Sequence, residues 1–190
     1  MPKIAVLLTQ GFADWEYAFI AGTGKPYYDI DVEFFAPSTG EVLSHGSLTA
    51  LVSKDFDALQ EWKPNAIVVI GGSIWRTEQA PQINDMLKDH YAQGVTIAGI
   101  CGGTLALAHA GLLNEAAHTS NAAEYLTENA TEYSGQAHYV ASAAAISDAN
   151  IITAAGTAPV SFTAAVFSAV GLDEEQVSQF KARMAAEHSA

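Results

Sequence analysis

The sequence predicts an α/β fold, a mostly parallel sheet with helices on both faces. Three observations carry this. Short apolar runs at residues 3–8, 32–37, 66–70 and 95–100 have the composition of strands buried on both sides. They alternate with helical stretches along most of the chain, as repeated βαβ units do. The third is a sharp strand-to-helix bend. Val95-Thr96-Ile97-Ala98-Gly99-Ile100 runs through Cys101-Gly102-Gly103 into Thr104-Leu105-Ala106-Leu107-Ala108, with the single cysteine of the chain at the apex.

The first strand, residues 3–8, turns at Thr9-Gln10-Gly11. Residues 14–21 read as a helix capped by Asp14, with Trp15, Phe19 and Ile20 facing inward, and Gly22 to Pro26 ending it. A second strand closes at Pro37. Gly40 and Gly46 punctuate a hairpin over residues 41–53. The apolar strand 66–70 runs into Gly71-Gly72-Ser73. Residues 81–93 form an amphipathic helix with Ile83, Met86, Leu87 and Tyr91 on one face. The helix after the bend stops at Gly111. Residues 112–141 are less regular, with a short strand at 118–120 and a helix at 122–128. Residues 144–146 and 151–153 flank a Ser-Asp-Ala-Asn turn. Helices follow at 160–170 and from Asp173 to about Glu187, the latter with acidic residues at its positive end.

At 190 residues, nearly half of them apolar, the chain is read as one domain over 1–190. The net charge of −13, with only eight Lys and Arg, leaves no basic patch for phosphates, which argues against nucleic acid and anionic membrane surfaces as partners. No stretch approaches the roughly 20 apolar residues of a membrane span. The first residues lack the pattern of a secretory signal, and one cysteine cannot form an internal disulfide, so a cytoplasmic location is expected.

The chemistry centres on Cys101. A bend of this kind lifts the sulfur out of the sheet and sets it at a helix N-terminus, where backbone N–H groups favour thiolate. Sites in open α/β sheets lie beyond the carboxyl ends of the strands. The loops at residues 10–16, 71–73 and 101 leave such ends and are expected to meet there. Gly71, Gly72 and Gly102 offer bare backbone N–H groups for an oxyanion hole. Glu16, in the first turn of its helix, would have a raised pKa beside a thiolate and share a proton with it. Among six histidines, His118 is the best candidate for a general base. No cysteine pair, HExxH or EF-hand spacing is present and the first turn lacks a Gly-x-Gly, so neither metal nor dinucleotide cofactor is expected.

These residues resemble the DJ-1/PfpI superfamily. Ala98-Gly99-Ile100-Cys101-Gly102-Gly103-Thr104 is similar to its cysteine elbow and Asp14-Trp15-Glu16 to its first loop. Ile70-Gly71-Gly72 resembles its glycine pair and residues 153–159 its C-terminal loop. The matches come in the family's order over about 165 residues, nearly all of a single domain. The resemblance implies a flavodoxin-like three-layer α/β/α sandwich, commonly a homodimer. Cys101 would be nucleophile or redox centre and Glu16 its hydrogen-bonding carboxyl. Gly102 stands where protease-like members carry His. Aligning the DJ-1-type histidine on Thr119 puts Ser120 at its position, with His118 two residues earlier, on the same face of a strand. No His-x-Glu element follows Cys101, which argues against glutaminase activity.

Two functions follow. One is an enzyme in which Cys101 attacks a small electrophilic carbon, hydrolase/amidase-like or glyoxalase-like, on a small-molecule substrate. The other is a stress-response protein that senses oxidants through Cys101.

Overall fold

The computed structural model describes residues 1–186. The strands are β1 (Lys3–Leu7), β2 (Asp31–Phe35), β3 (Gly40–Leu43), β4 (Thr49–Val52), β5 (Ala66–Val69), β6 (Thr96–Ile100), β7 (Ile146–Asp148) and β8 (Ile151–Ala154). Six form one sheet in the order β2-β1-β5-β6-β8-β7, and all its pairings are parallel except β7 with β8. β3 and β4 pair as a separate antiparallel hairpin. The chain leaves β1 for β2 on one side and later returns to β5 on the other. The connections therefore diverge between β1 and β5, which opens a crevice at the carboxyl ends.

The strict alternation of the central strands builds two cores. Ile4, Val6, Val68, Ala98 and Ile100 face one side and Ala5, Leu7, Ile67, Val69 and Ile97 the other. On the first side lie α1 (Asp14–Tyr28), α6 (Pro159–Ala169) and α7 (Glu174–Ala185), contributing Ile20, Phe162, Phe167 and Phe180. On the second lie α2 (Leu59–Trp62), α3 (Asn84–Ala92), α4 (Gly103–His109) and α5 (Ala123–Asn129), contributing Leu59, Leu87, Leu105 and Leu126. The expected three-layer α/β/α sandwich is present. Among the described residues no helix is long and apolar enough to cross a membrane.

Several expected boundaries move. α1 does not stop at Ala21 but continues through Gly24 and Pro26 to Tyr28. Tertiary packing overrides local propensity here: a Cβ on Gly24 would stand 3.0 Å from Val32, so a bare helix face lets β2 approach. Asp14 does not cap the helix; its Oδ2 instead accepts the Gly46 N–H at 2.7 Å. Trp15, expected inside, is 48% exposed. Residues 118–120 form no strand, only an isolated bridge between His118 and Tyr139. The last helix begins after Asp173, which caps it by accepting the Gln176 N–H; Glu187 lies outside the described residues. The edge strand β7 is three residues long, and its Asp148 turns away to accept the Ala117 N–H at 2.7 Å.

Candidate active site

Cys101 ends β6 and precedes α4 with φ 55°, in the left-handed region that a non-glycine residue rarely occupies. The surrounding glycines make the bend possible by close approach. A Cβ on Gly103 would run into the Val69 carbonyl, and one on Gly99 would stand 2.9 Å from Leu107. The bend is further held by Thr104, whose hydroxyl donates to the Cys101 carbonyl at 2.7 Å. That leaves the Ser120 hydroxyl, 2.7 Å from Thr104 Oγ1, to donate to it.

Glu16 is fully buried at the start of α1, beneath the cysteine. Its Oε2 accepts the Gly71 N–H at 2.7 Å. Its Oε1 has no other partner among the described residues and lies beside the sulfur; both atoms border the space next to Gly156. Burial pushes the Glu16 carboxyl up to about 7, against the Gly71 N–H and the thiol, which favour its ionised form. Burial also pushes the Cys101 thiol up, and a charged Glu16 adds to this. The N–H groups of Asn121 and Gly102 act in the opposite direction. The expected bias toward thiolate from the helix end is thus outweighed by burial and by the neighbouring carboxyl. Two anions in contact are disfavoured here, so sulfur and carboxyl titrate as a pair that shares one proton.

The glycine pair divides its roles. The Gly71 N–H is bonded to Glu16, so it is a positioning group for the carboxyl rather than an oxyanion donor. The Gly72 N–H has no protein acceptor among the described residues, and it stands against Gly102: a Cβ on Gly102 would lie 3.0 Å from that nitrogen. Gly72 and Gly102 thus lie against one another beside the cysteine, and the Gly102 N–H is directed to the sulfur.

His118 is not brought to the cysteine. It is fully buried in the segment before α5, where its Nδ1–H donates to the Ala116 carbonyl at 2.7 Å. Its Nε2 accepts the Tyr133 hydroxyl at 2.6 Å. Burial holds its pKa below the usual value, consistent with this neutral tautomer. Both ring nitrogens are engaged, so the ring ties a loop together and has no free position for proton transfer. The expectation of a general base failed because it assumed strand alternation in a segment that is not a strand.

The residue at the sulfur is Asn121. Its Nδ2–H donates to Cys101 Sγ at 3.3 Å, while its Oδ1 accepts the Gly156 N–H at 3.0 Å. The Gly156 contact fixes which end of the amide faces the sulfur. The Gly156 carbonyl accepts the Trp15 Nε1–H at 2.9 Å, tying the loop after β8 to the start of α1. The sequence offered no signal for Asn121 beyond its place after Thr119-Ser120.

Above the sulfur is a cavity of about 320 Å³. Trp15 and His45 line it, their rings edge to face with centroids 6.3 Å apart. Arg76 and Tyr125 line it too, with the guanidinium 5.9 Å from the ring centroid. The volume is at the low end for ligand pockets and suits a small molecule. Among the described residues no three His, Cys, Asp or Glu side chains converge as metal ligands.

The DJ-1/PfpI family model matches residues 2–169. This chain belongs to the DJ-1/PfpI family. The DJ-1 superfamily protein Atu0886 from Agrobacterium tumefaciens has the same fold, with a TM-score of 0.92 and 34% identity over 99% of this chain and 100% of that one. Two Bacillus subtilis proteins named as uncharacterized proteases are also similar. YoaZ is 29% identical over 86% of this chain and 81% of its own length, and YdeA is 30% identical over 91% and 85%.

Proposed function

We propose that this protein is a cysteine-dependent enzyme acting on a small electrophilic carbon, hydrolase/amidase-like or glyoxalase-like. One observation carries the reading: the Cys101 sulfur, held out of the sheet by a strained backbone, has a buried carboxyl beside it and a small cavity in front of it. Glu16 takes the thiol proton as Sγ attacks the carbonyl carbon. The S–C bond forms and the carbonyl π pair moves to oxygen, which the Gly72 and Gly102 N–H groups receive. With an aldehyde, Glu16 returns the proton to that oxygen, giving a hemithioacetal. With an amide, the proton goes to the leaving nitrogen, the C–N bond breaks, and water hydrolyses the thioester while Glu16 accepts its proton. No histidine is required, in keeping with Gly102 after the cysteine. The word protease in the names of both Bacillus subtilis relatives supports the hydrolase branch.

The test is a panel of 2-oxoaldehydes and small amides, with mass spectrometry for an adduct on Cys101. Turnover that disappears in Cys101→Ser is the expected result. Full turnover in that variant on every active substrate would overturn the assignment.

A second reading draws on the donors around the sulfur. Hydrogen peroxide would oxidise the thiolate to sulfenate and then sulfinate, one peroxide being reduced to water at each step. Asn121, Gly102 and a protonated Glu16 supply three donors for the new oxygens. Under this reading mild peroxide modifies Cys101 before any methionine.

A further inference from the structure

We infer that the pocket selects a small carbonyl compound bearing a carboxylate, and that Arg76 binds that carboxylate. This rests on the reading of Cys101 as the nucleophile and specifies what reaches it.

Arg76 is the only Lys, Arg, Asp or Glu among the residues lining the cavity. The ion pairs among the described residues join Lys25 to Asp31, Lys54 to Glu33 and Lys88 to Asp85, and Arg76 takes part in none. Its contact with the Tyr125 ring engages a π face and consumes no N–H donor. The guanidinium thus has a fork of donors and, among the described residues, no carboxylate to receive it.

Its position is built rather than incidental. Arg76 ends the 3-10 turn Ser73–Arg76, which follows directly from the Gly72 N–H. The turn is pinned by Trp75, buried on the sheet with its Nε1–H donating to the Ile70 carbonyl at 2.9 Å. Tyr125 links the cation to the reacting centre. Its ring lies under the guanidinium, and its hydroxyl is 3.3 Å from where a Cβ on Gly102 would stand. An anion on Arg76 is therefore about one side chain from the proposed oxyanion donors, so one small molecule can reach both.

The charge of the chain sharpens the point. A protein at −13 repels anions in general. Arg76, exposed at the cavity and in no ion pair among the described residues, is a local exception.

Alkylation of Cys101 tests this directly, because iodoacetate and iodoacetamide differ only in replacing carboxylate by amide. In both, the S–C bond forms as iodide leaves. The readout is the ratio of the two rates at Cys101, divided by the same ratio for free cysteine in the same buffer. The expected result is a ratio that falls about five- to tenfold in Arg76→Met and is partly kept in Arg76→Lys, which retains charge but not the fork. Lys88→Gln, which changes net charge equally on a distant helix, should leave the ratio at its wild-type value. A ratio unaffected by Arg76→Met, with brisk iodoacetamide reaction, overturns the carboxylate site and leaves the nucleophile reading standing. Failure of both reagents at Cys101 overturns both. Pyruvate should protect Cys101 from iodoacetamide better than inorganic phosphate does. Stronger protection by phosphate would reassign the anion and overturn the carboxylate.

Discussion

The Asn121 amide nitrogen lies 3.3 Å from the Cys101 sulfur, and the Gly156 N–H holds the amide in that orientation. A side chain that can only donate at that position stabilises negative charge on sulfur without being able to take a proton. In the proposed chemistry the proton moves instead through Glu16, whose Oε1 lies beside the sulfur.

Replacing Asn121 should slow the cysteine without unfolding the protein, because the side chain is exposed. Asn121→Ala is expected to reduce the rate of iodoacetamide alkylation at neutral pH about tenfold, the scale of one lost hydrogen bond to an anion. Asn121→Asp should be slower still, since a carboxylate there repels the thiolate. Stopped alkylation followed by intact-mass measurement decides the order of the three rates.

Glu16→Gln removes the charge that raises the thiol pKa. The midpoint of the alkylation–pH profile should move to lower pH, because burial then acts without the added repulsion of the carboxylate. An unchanged midpoint would dissociate the carboxyl from the sulfur.

The same carboxyl carries a stability signature. Its folded pKa of about 7 lies above its unfolded value near 4.5, so between those pH values the native state holds a proton that the unfolded state releases. Stability linked to Glu16 is fully present below about pH 4.5 and is lost as pH rises through about 7, by on the order of 3 kcal/mol. Wild-type melting temperature should therefore fall from pH 5 to pH 8 relative to Glu16→Gln, in which the slope is flattened.

His118→Phe should cost stability and spare reactivity. The Ala116 carbonyl and Tyr133 hydroxyl lose their buried partner, at about 1–3 kcal/mol each if unsatisfied. Thermal denaturation should register that loss, while the Cys101 alkylation profile of the folded variant follows wild type. A displaced profile would return His118 to the chemistry.

Gly156→Ala probes the packing over the sulfur. Its Cβ would stand 2.9 Å from Sγ, closer than real contacts allow, and a tight 3.0 Å from the cysteine Cβ. Alkylation and any turnover should fall together in a protein that still melts cooperatively.

The parts legible in the sequence were those set by local pattern. Apolar runs located the central strands because a strand buried on both faces has no polar alternation to interrupt it. The glycines around Cys101 announced the elbow because only close backbone approach explains them there. The end of α1 was not legible, because Gly24 and Pro26 are local helix breakers whose effect is overruled by contact with β2. Asn121 and Arg76 were not legible for another reason. Each lies in an irregular connection or short turn, and its role depends on a partner far along the chain: Gly156 for one, Tyr125 for the other. The choice of His118 as general base shows the cost of assuming regular geometry in such a segment.

The shortness of β7 has a consequence for how copies of the protein behave when crowded together. A long bare edge would template pairing with a neighbour and invite edge-to-edge aggregation. Three residues, with an aspartate that folds back to Ala117, offer too little ladder for that. Growth of the sheet from one molecule into the next is blunted at this margin.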